Sequence, residues 1–145
     1  MTLISRSALV RHSADAMYAL VNDVESYPDY LPGCVGAEVL RREEGLMEAR
    51  LDLAKAGMRY SFTTRNRLMP PHRVELTLVE GPFKRFQGCW QFQPLAERAC
   101  KVSLDLEFEM AGGRLLGLAA KPIFHGIANE MVDALVRRAN HVYGN

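Results

Sequence analysis

The chain lacks the signatures that mark a dedicated catalyst. It has no G-x-S-x-G nucleophile elbow and no phosphate-binding P-loop, which excludes motif-encoded hydrolase and nucleotide chemistry. Its histidines, His12, His72, His125 and His141, are scattered, and none stands at metal-ligand spacing from a cysteine or carboxylate. Surface or packed roles suit them, and neither catalytic residues nor metal ligands are predicted. Three cysteines (Cys34, Cys89, Cys100) are an odd number without close pairing, which excludes a disulfide framework and fits reduced thiols. Cys34, after Pro32-Gly33, is the one placed in an evident loop, with nothing nearby to activate it. The longest apolar run, Leu115 to Ala120, is interrupted by Gly117 and is far too short to cross a bilayer. Met1 to Val10 holds no apolar signal core, so a cytoplasmic location is expected. A net charge of +1 excludes a general polycation. No linker, repeat or low-complexity tract divides the 145 residues, and 48% hydrophobic content suits one domain over 1–145 with a real core.

What is present is periodicity. Residues 3–10 read as a strand whose inward face is ambiguous. Ser13 then caps a helix carrying Met17, Leu20, Val21 and Val24, and the Tyr27–Gly33 segment breaks it into two short helical pieces. From Val35 onward the period drops to two. Strands follow over 35–42, around Met47–Leu53, around Tyr60–Leu68, around Val74–Leu78, and from Phe86 to Phe92 before Pro94. In the last strand Val102, Leu104, Leu106, Phe108 and Met110 alternate with polar residues. Short connections require antiparallel pairing, and one apolar face per strand requires a cover on one side. Gly112-Gly113 superficially resembles a phosphate-binding loop, but a strand-to-helix hinge fits it better. The cover is a long C-terminal helix with Leu116, Ala120, Ile123, Ile127, Met131, Ala134 or Leu135, and Val142 on one stripe. Glu130, Asp133, Arg137 and His141 lie opposite, with Asp133–Arg137 as an i,i+4 pair, and Pro122 kinks the helix or begins its regular part. The order predicts an α+β, helix-grip (START-like) fold. In it a curved antiparallel sheet of about six to seven strands wraps the C-terminal helix, with two short helices after the first strand.

One helix cannot fill a strongly curved sheet, so an apolar cavity is expected. Its predicted wall comprises Tyr60, Phe62, Leu76, Phe86, Trp90, Phe92, Leu104 and Phe108 on the strands, and Ile123 and Ile127 on the helix. Met47 and Leu51 share that apolar face. Thr64 and Asn66 interrupt the apolar face, either to orient a ligand's polar group or to bond each other internally. Tyr27, Tyr30 and Leu31, with Leu118, Leu115 and Phe124 opposite, either gate the mouth or are simply buried. Residues 53–74 carry Lys55, Arg59, Arg65, Arg67 and Arg73 without one acid, and Lys84-Arg85 and Arg41-Arg42 lie near them across the sheet. This stretch is a solvated face or a contact for RNA phosphates or, transiently, an anionic membrane surface. No aromatic residue interleaves on its polar face, which argues against base stacking. Asp105, Glu107 and Glu109 form an acidic face on the last strand and suit solvent better than catalysis.

Several segments carry a resemblance: ISRSALV at 4–10, LVNDVESYPDYLPGC at 20–34, KAG at 55–57, FTTRNRL at 62–68, EGPFKRFQGCWQFQPL at 80–95, and the C-terminal helix. On these the chain resembles the coenzyme-Q-binding START-domain family (polyketide cyclase/dehydrase-like, SRPBCC), in particular its bacterial branch of ribosome association toxins. The resemblance implies a helix-grip fold with a lipophilic cavity and no required cofactor. It implies two functions. One is non-catalytic binding of ubiquinone or a related polyisoprenoid lipid in support of respiration. The other is binding of the large ribosomal subunit to block subunit association, as the toxin of a toxin–antitoxin pair. DNA is not an expected partner.

Overall fold

The computed structural model describes residues 2–55, 57–111 and 114–144, with backbone alone described over 114–120. Strand β1 (Thr2–Val10) leads to helix α1 (Ala14–Asn22), a single 3-10 turn (Val24–Ser26) and the short helix α2 (Tyr27–Tyr30). Strands β2 (Cys34–Glu43), β3 (Leu46–Lys55), β4 (Met58–Met69), β5 (Arg73–Glu80), β6 (Phe83–Ala96) and β7 (Ala99–Met110) follow, then helix α3 (Arg114–Tyr143). Ser13 caps α1 by accepting a hydrogen bond from the Ala16 amide, and Asp15 adds a negative charge to its first turn. Seven strands form one antiparallel sheet in the order β1-β7-β6-β5-β4-β3-β2. β2 to β7 is a continuous meander, and β1 joins it by pairing with β7 from Thr2↔Phe108 to Val10↔Cys100. The sheet packs its inner face on α3, which is the helix-grip arrangement.

Alternation settles which face turns inward. Met47, Ala49 and Leu53 on β3, Phe62 on β4, and Val102, Leu104, Leu106 and Phe108 on β7 are all buried. β1 presents Ile4 and Val10 inward and leaves Leu3 and Leu9 exposed at 71% and 75%. Leucines thus occupy both faces of β1, which is why its periodicity alone was indecisive. β6 runs past Pro94 to Ala96, because Pro94 sits beside a register shift near the strand end, where a missing donor costs little. Cys34 is not in a loop but opens β2, buried, with its thiol donating to the Gly36 carbonyl.

Helix α3 turns Ile127, Ala134 and Leu135 of the expected stripe inward, with Met131 on the cavity, but the buried face is wider and shifted at its ends. Phe124, Ile127, Ala128, Val132, Ala134, Leu135 and Ala139 are buried, whereas Val142 is 49% exposed. Leu115, Leu116, Leu118 and Ala120 lie outside the described residues as far as side chains go. Asp133 does not pair with Arg137; it meets Arg6 of β1 at 3.3 Å, and the same guanidinium donates to Asn129. His12 bonds Asn140 at 2.8 Å, and the Tyr143 hydroxyl donates to the Ala16 carbonyl. Polar contacts therefore tie the C-terminal half of α3 to β1 and α1. Further up, Phe124 packs edge-on among Phe62, Phe83, Phe86 and Phe108, with ring centroids 4.7 to 6.0 Å away. Gly33 lets the loop before β2 press against this helix. Its φ is +88°, and a Cβ there would lie 2.5 Å from Ile127 Cδ1.

Candidate functional site: an apolar cavity and a charged outer face

Between the sheet and α3 lies an apolar cavity of about 70 Å³. Ala49, Leu51 and Leu53 of β3, Phe62, Thr64 and Asn66 of β4, and Val74 and Leu76 of β5 form one side of it. Phe86 and Trp90 of β6, Leu104 and Leu106 of β7, and Phe124, Ile127, Ala128 and Met131 of α3 form the rest, closed by Val21, Val24, Tyr27 and Leu31. Gly88 falls between Phe86 and Trp90 on the inner face of β6, and the side chains of Leu76 and Leu106 occupy the space its Cβ would need. The cavity is small beside the roughly 300–1,000 Å³ of drug-sized sites.

Of the twelve residues predicted for the wall, Phe62, Thr64, Asn66, Leu76, Phe86, Trp90, Leu104 and Ile127 line it. Tyr60, Phe92, Phe108 and Ile123 do not. Phe92 lies parallel to Trp90 at 6.2 Å with Tyr18 edge-on against it, so it is sealed in the core beneath α1. Phe108 is covered by Phe124 and Phe83. Ile123 is half-buried because its neighbour Phe124 takes the inward position. Tyr60 keeps its hydroxyl buried with no hydrogen-bond partner among the described residues, and burial pushes its pKa well up. Of the two alternatives for the mouth residues, burial fits Tyr27, Leu31 and Phe124. Tyr27 and Leu31 are 5% and 4% exposed and form wall, and the Tyr27 hydroxyl donates to the Val21 carbonyl. Tyr30 stands off the wall beneath the Arg138 guanidinium, and Phe124 is core. The Leu118 side chain lies outside what is described. Sequence reasoning did not assign Val21, Val24, Ala49, Leu53, Val74, Leu106, Ala128 and Met131 to the cavity, because their helical or strand spacing fits any packed core.

The polar exception in the wall is the pair Thr64 and Asn66, 8% and 6% exposed. The Thr64 hydroxyl donates to Asn66 Oδ1 at 2.8 Å. Against β5 the register shifts between Thr63 and Thr64, and the two consecutive threonines are both buried. No cysteine is poised for nucleophilic work, since burial raises Cys34 and Cys100 to about 11. Among the described residues no group of three His, Cys, Asp or Glu side chains is placed to hold a metal ion.

The outer face of the sheet is charged, but it is not the free basic patch that residues 53–74 suggest. Arg65 meets Glu48 at 2.9 Å, Arg67 and Arg73 share Glu75 at 3.3 and 3.1 Å, and Lys84 lies 3.5 Å from Glu109. The acids come from neighbouring strands or from the same strand two residues on, which the run of basic letters hides. Arg59 and Arg85 have no carboxylate within 4.0 Å among the described residues. The acidic row of β7 is answered too: Ser5 donates to Asp105 and Gln87 to Glu107. No helix among the described residues is long and apolar enough to cross a membrane.

A family described as polyketide cyclase / dehydrase and lipid transport matches residues 10–136. The chain belongs to that family. It is 49% identical over 144 residues to a Vibrio cholerae protein named ribosome association toxin RatA, with 99% of each chain covered. It is 26% identical over 144 residues to a Xenopus laevis protein named coenzyme Q-binding protein COQ10 homolog B, mitochondrial, covering 97% of this chain and 59% of that one. Among solved structures, a Streptomyces aromatase/cyclase superposes with a TM-score of 0.84 at 18% identity, over 96% of this chain and 93% of that one. That last likeness establishes the shared fold alone.

Proposed function

We propose that this protein acts by association with the ribosome, binding the large subunit and blocking its union with the small one, as the toxin of a toxin–antitoxin pair and without catalysis. The observation that carries this reading is the end-to-end similarity, at 49% identity, to a protein named for ribosome association. The contact would be electrostatic and would therefore weaken steeply with salt. Because Arg65, Arg67, Arg73 and Lys84 are already paired, Arg59 and Arg85 are the better candidates for phosphate contacts. Co-sedimentation with purified large subunits at about 50 and about 200 mM salt tests this. Pelleting at low salt that falls sharply at high salt is expected. Arg59→Glu with Arg85→Glu should weaken it more than Arg65→Glu with Arg67→Glu. No co-sedimentation at low salt overturns the reading.

A second reading is favoured by the cavity: the grip holds an apolar ligand such as the ring or leading end of a quinone or other polyisoprenoid. The small volume limits what enters without rearrangement. Organic extraction of purified protein followed by mass spectrometry tests it. An empty protein that also takes up no added ubiquinone counts against it.

A further inference from the structure

The Asn66 side-chain amide is only half used on the cavity wall. Asn66 is 94% buried by its 6% exposure and lines the cavity. Its carbonyl oxygen is engaged by the Thr64 hydroxyl, while its amide N–H₂ has no acceptor among the described residues. The Thr64 hydroxyl is committed as that donor. Otherwise the lining named above is aliphatic or aromatic, apart from Tyr27, whose hydroxyl is used by Val21. Among the described residues the fully enclosed side-chain atoms without a partner are Tyr60 Oη and Arg138 Nε, not the Asn66 nitrogen, so its hydrogens keep access to the cavity, where an acceptor would pair them.

We propose that the cavity selects a small apolar molecule, or the end of one, bearing a carbonyl-type acceptor oxygen that receives the Asn66 amide hydrogens. This deepens the second reading above and rests on it. Thr64 is the positioning residue. By donating to Asn66 Oδ1 it fixes which end of the side-chain amide faces the cavity, so the amide presents its hydrogens to an acceptor oxygen there. An alkene of the same shape would find the same apolar walls but leave the amide unpaired, which is the difference a hydrogen-bonding site reads.

The test uses the full chain, uniformly labelled with ¹⁵N, and two probes of one shape: 2-butanone and 2-methyl-1-butene. In the wild type, 2-butanone should move the Asn66 side-chain amide resonances downfield in a saturable way, and the alkene should bind without that shift. In Asn66→Leu, affinity for the ketone should fall about five- to tenfold while affinity for the alkene holds or rises. Thr64→Val should give a smaller loss for the ketone alone. The wild-type amide shift is read without any variant, so a misfolded Asn66→Leu does not block the test. If both probes bind but the amide does not respond to the ketone, the acceptor inference is overturned and the apolar cavity stands. If neither probe binds, the cavity is not a ligand site and both fall.

Discussion

Strand β4 carries two surfaces of opposite character. Inward, Phe62, Thr64 and Asn66 are buried against α3 and the cavity. Outward, Arg65 and Arg67 reach solvent and meet Glu48 and Glu75. The inner surface depends on exclusion of water, so each contact is strong and a small change in shape is felt. The outer surface depends on paired charges in water, where each contact is weak and the pattern matters more than any pair. One strand can therefore tolerate drift on its outside while being held tightly inside. A binding partner that reads the outside and a ligand that reads the inside would be altered by separate substitutions.

Substitutions that break this contrast should differ widely in effect. The largest is expected for Phe124→Ala, which empties the centre of the aromatic cluster: about 3–5 kcal/mol lost, read from the urea midpoint. Should the loss be under about 1 kcal/mol, the inner face is not the tightly packed surface described. Thr64→Val should cost about 1–3 kcal/mol, because the buried Asn66 carbonyl loses its donor. Equal stability of Thr64→Val and wild type would mean that water replaces the hydroxyl. A double-mutant cycle on Glu48 and Arg65 should give a coupling of only about 0.2–1 kcal/mol that fades with added salt. The smallest effect concerns pH. The Ser61 hydroxyl and then Arg50 hold the Asp52 carboxyl below its usual range. Its contribution is present above the unfolded value near about 3.9 and is lost as pH falls through the folded value. Comparing urea midpoints of wild type and Asp52→Asn at about pH 6 and about pH 3 should show the gap between them narrowing in acid.

The inner face was legible because alternation of apolar and polar residues directly records burial on a sheet with one cover. Val102 to Met110 needs no other information. β1 was not legible, because Leu3 and Leu9 are as apolar as Ile4 and Val10 and only the register with β7 separates them. Phe124 stayed undecided between mouth and core because its packing partners are not near it in the sequence. The cluster that captures it comes from β4, β6 and β7, far off in sequence. The outer ion pairs were hidden for a related reason. Glu48 and Arg65 are cross-strand neighbours seventeen residues apart, so a basic run looks unopposed until its partner strand is laid beside it. Cavity and core share one residue chemistry, and only Thr64 and Asn66 announced themselves by being polar in an apolar row.

Trp90 is the single tryptophan of the chain, and it stands on the cavity wall. The protein's tryptophan emission is thus the signal of one indole in one small apolar chamber. Any occupant, any water that enters, and any parting of α3 from the sheet there will change the colour or brightness of that emission without a label being attached.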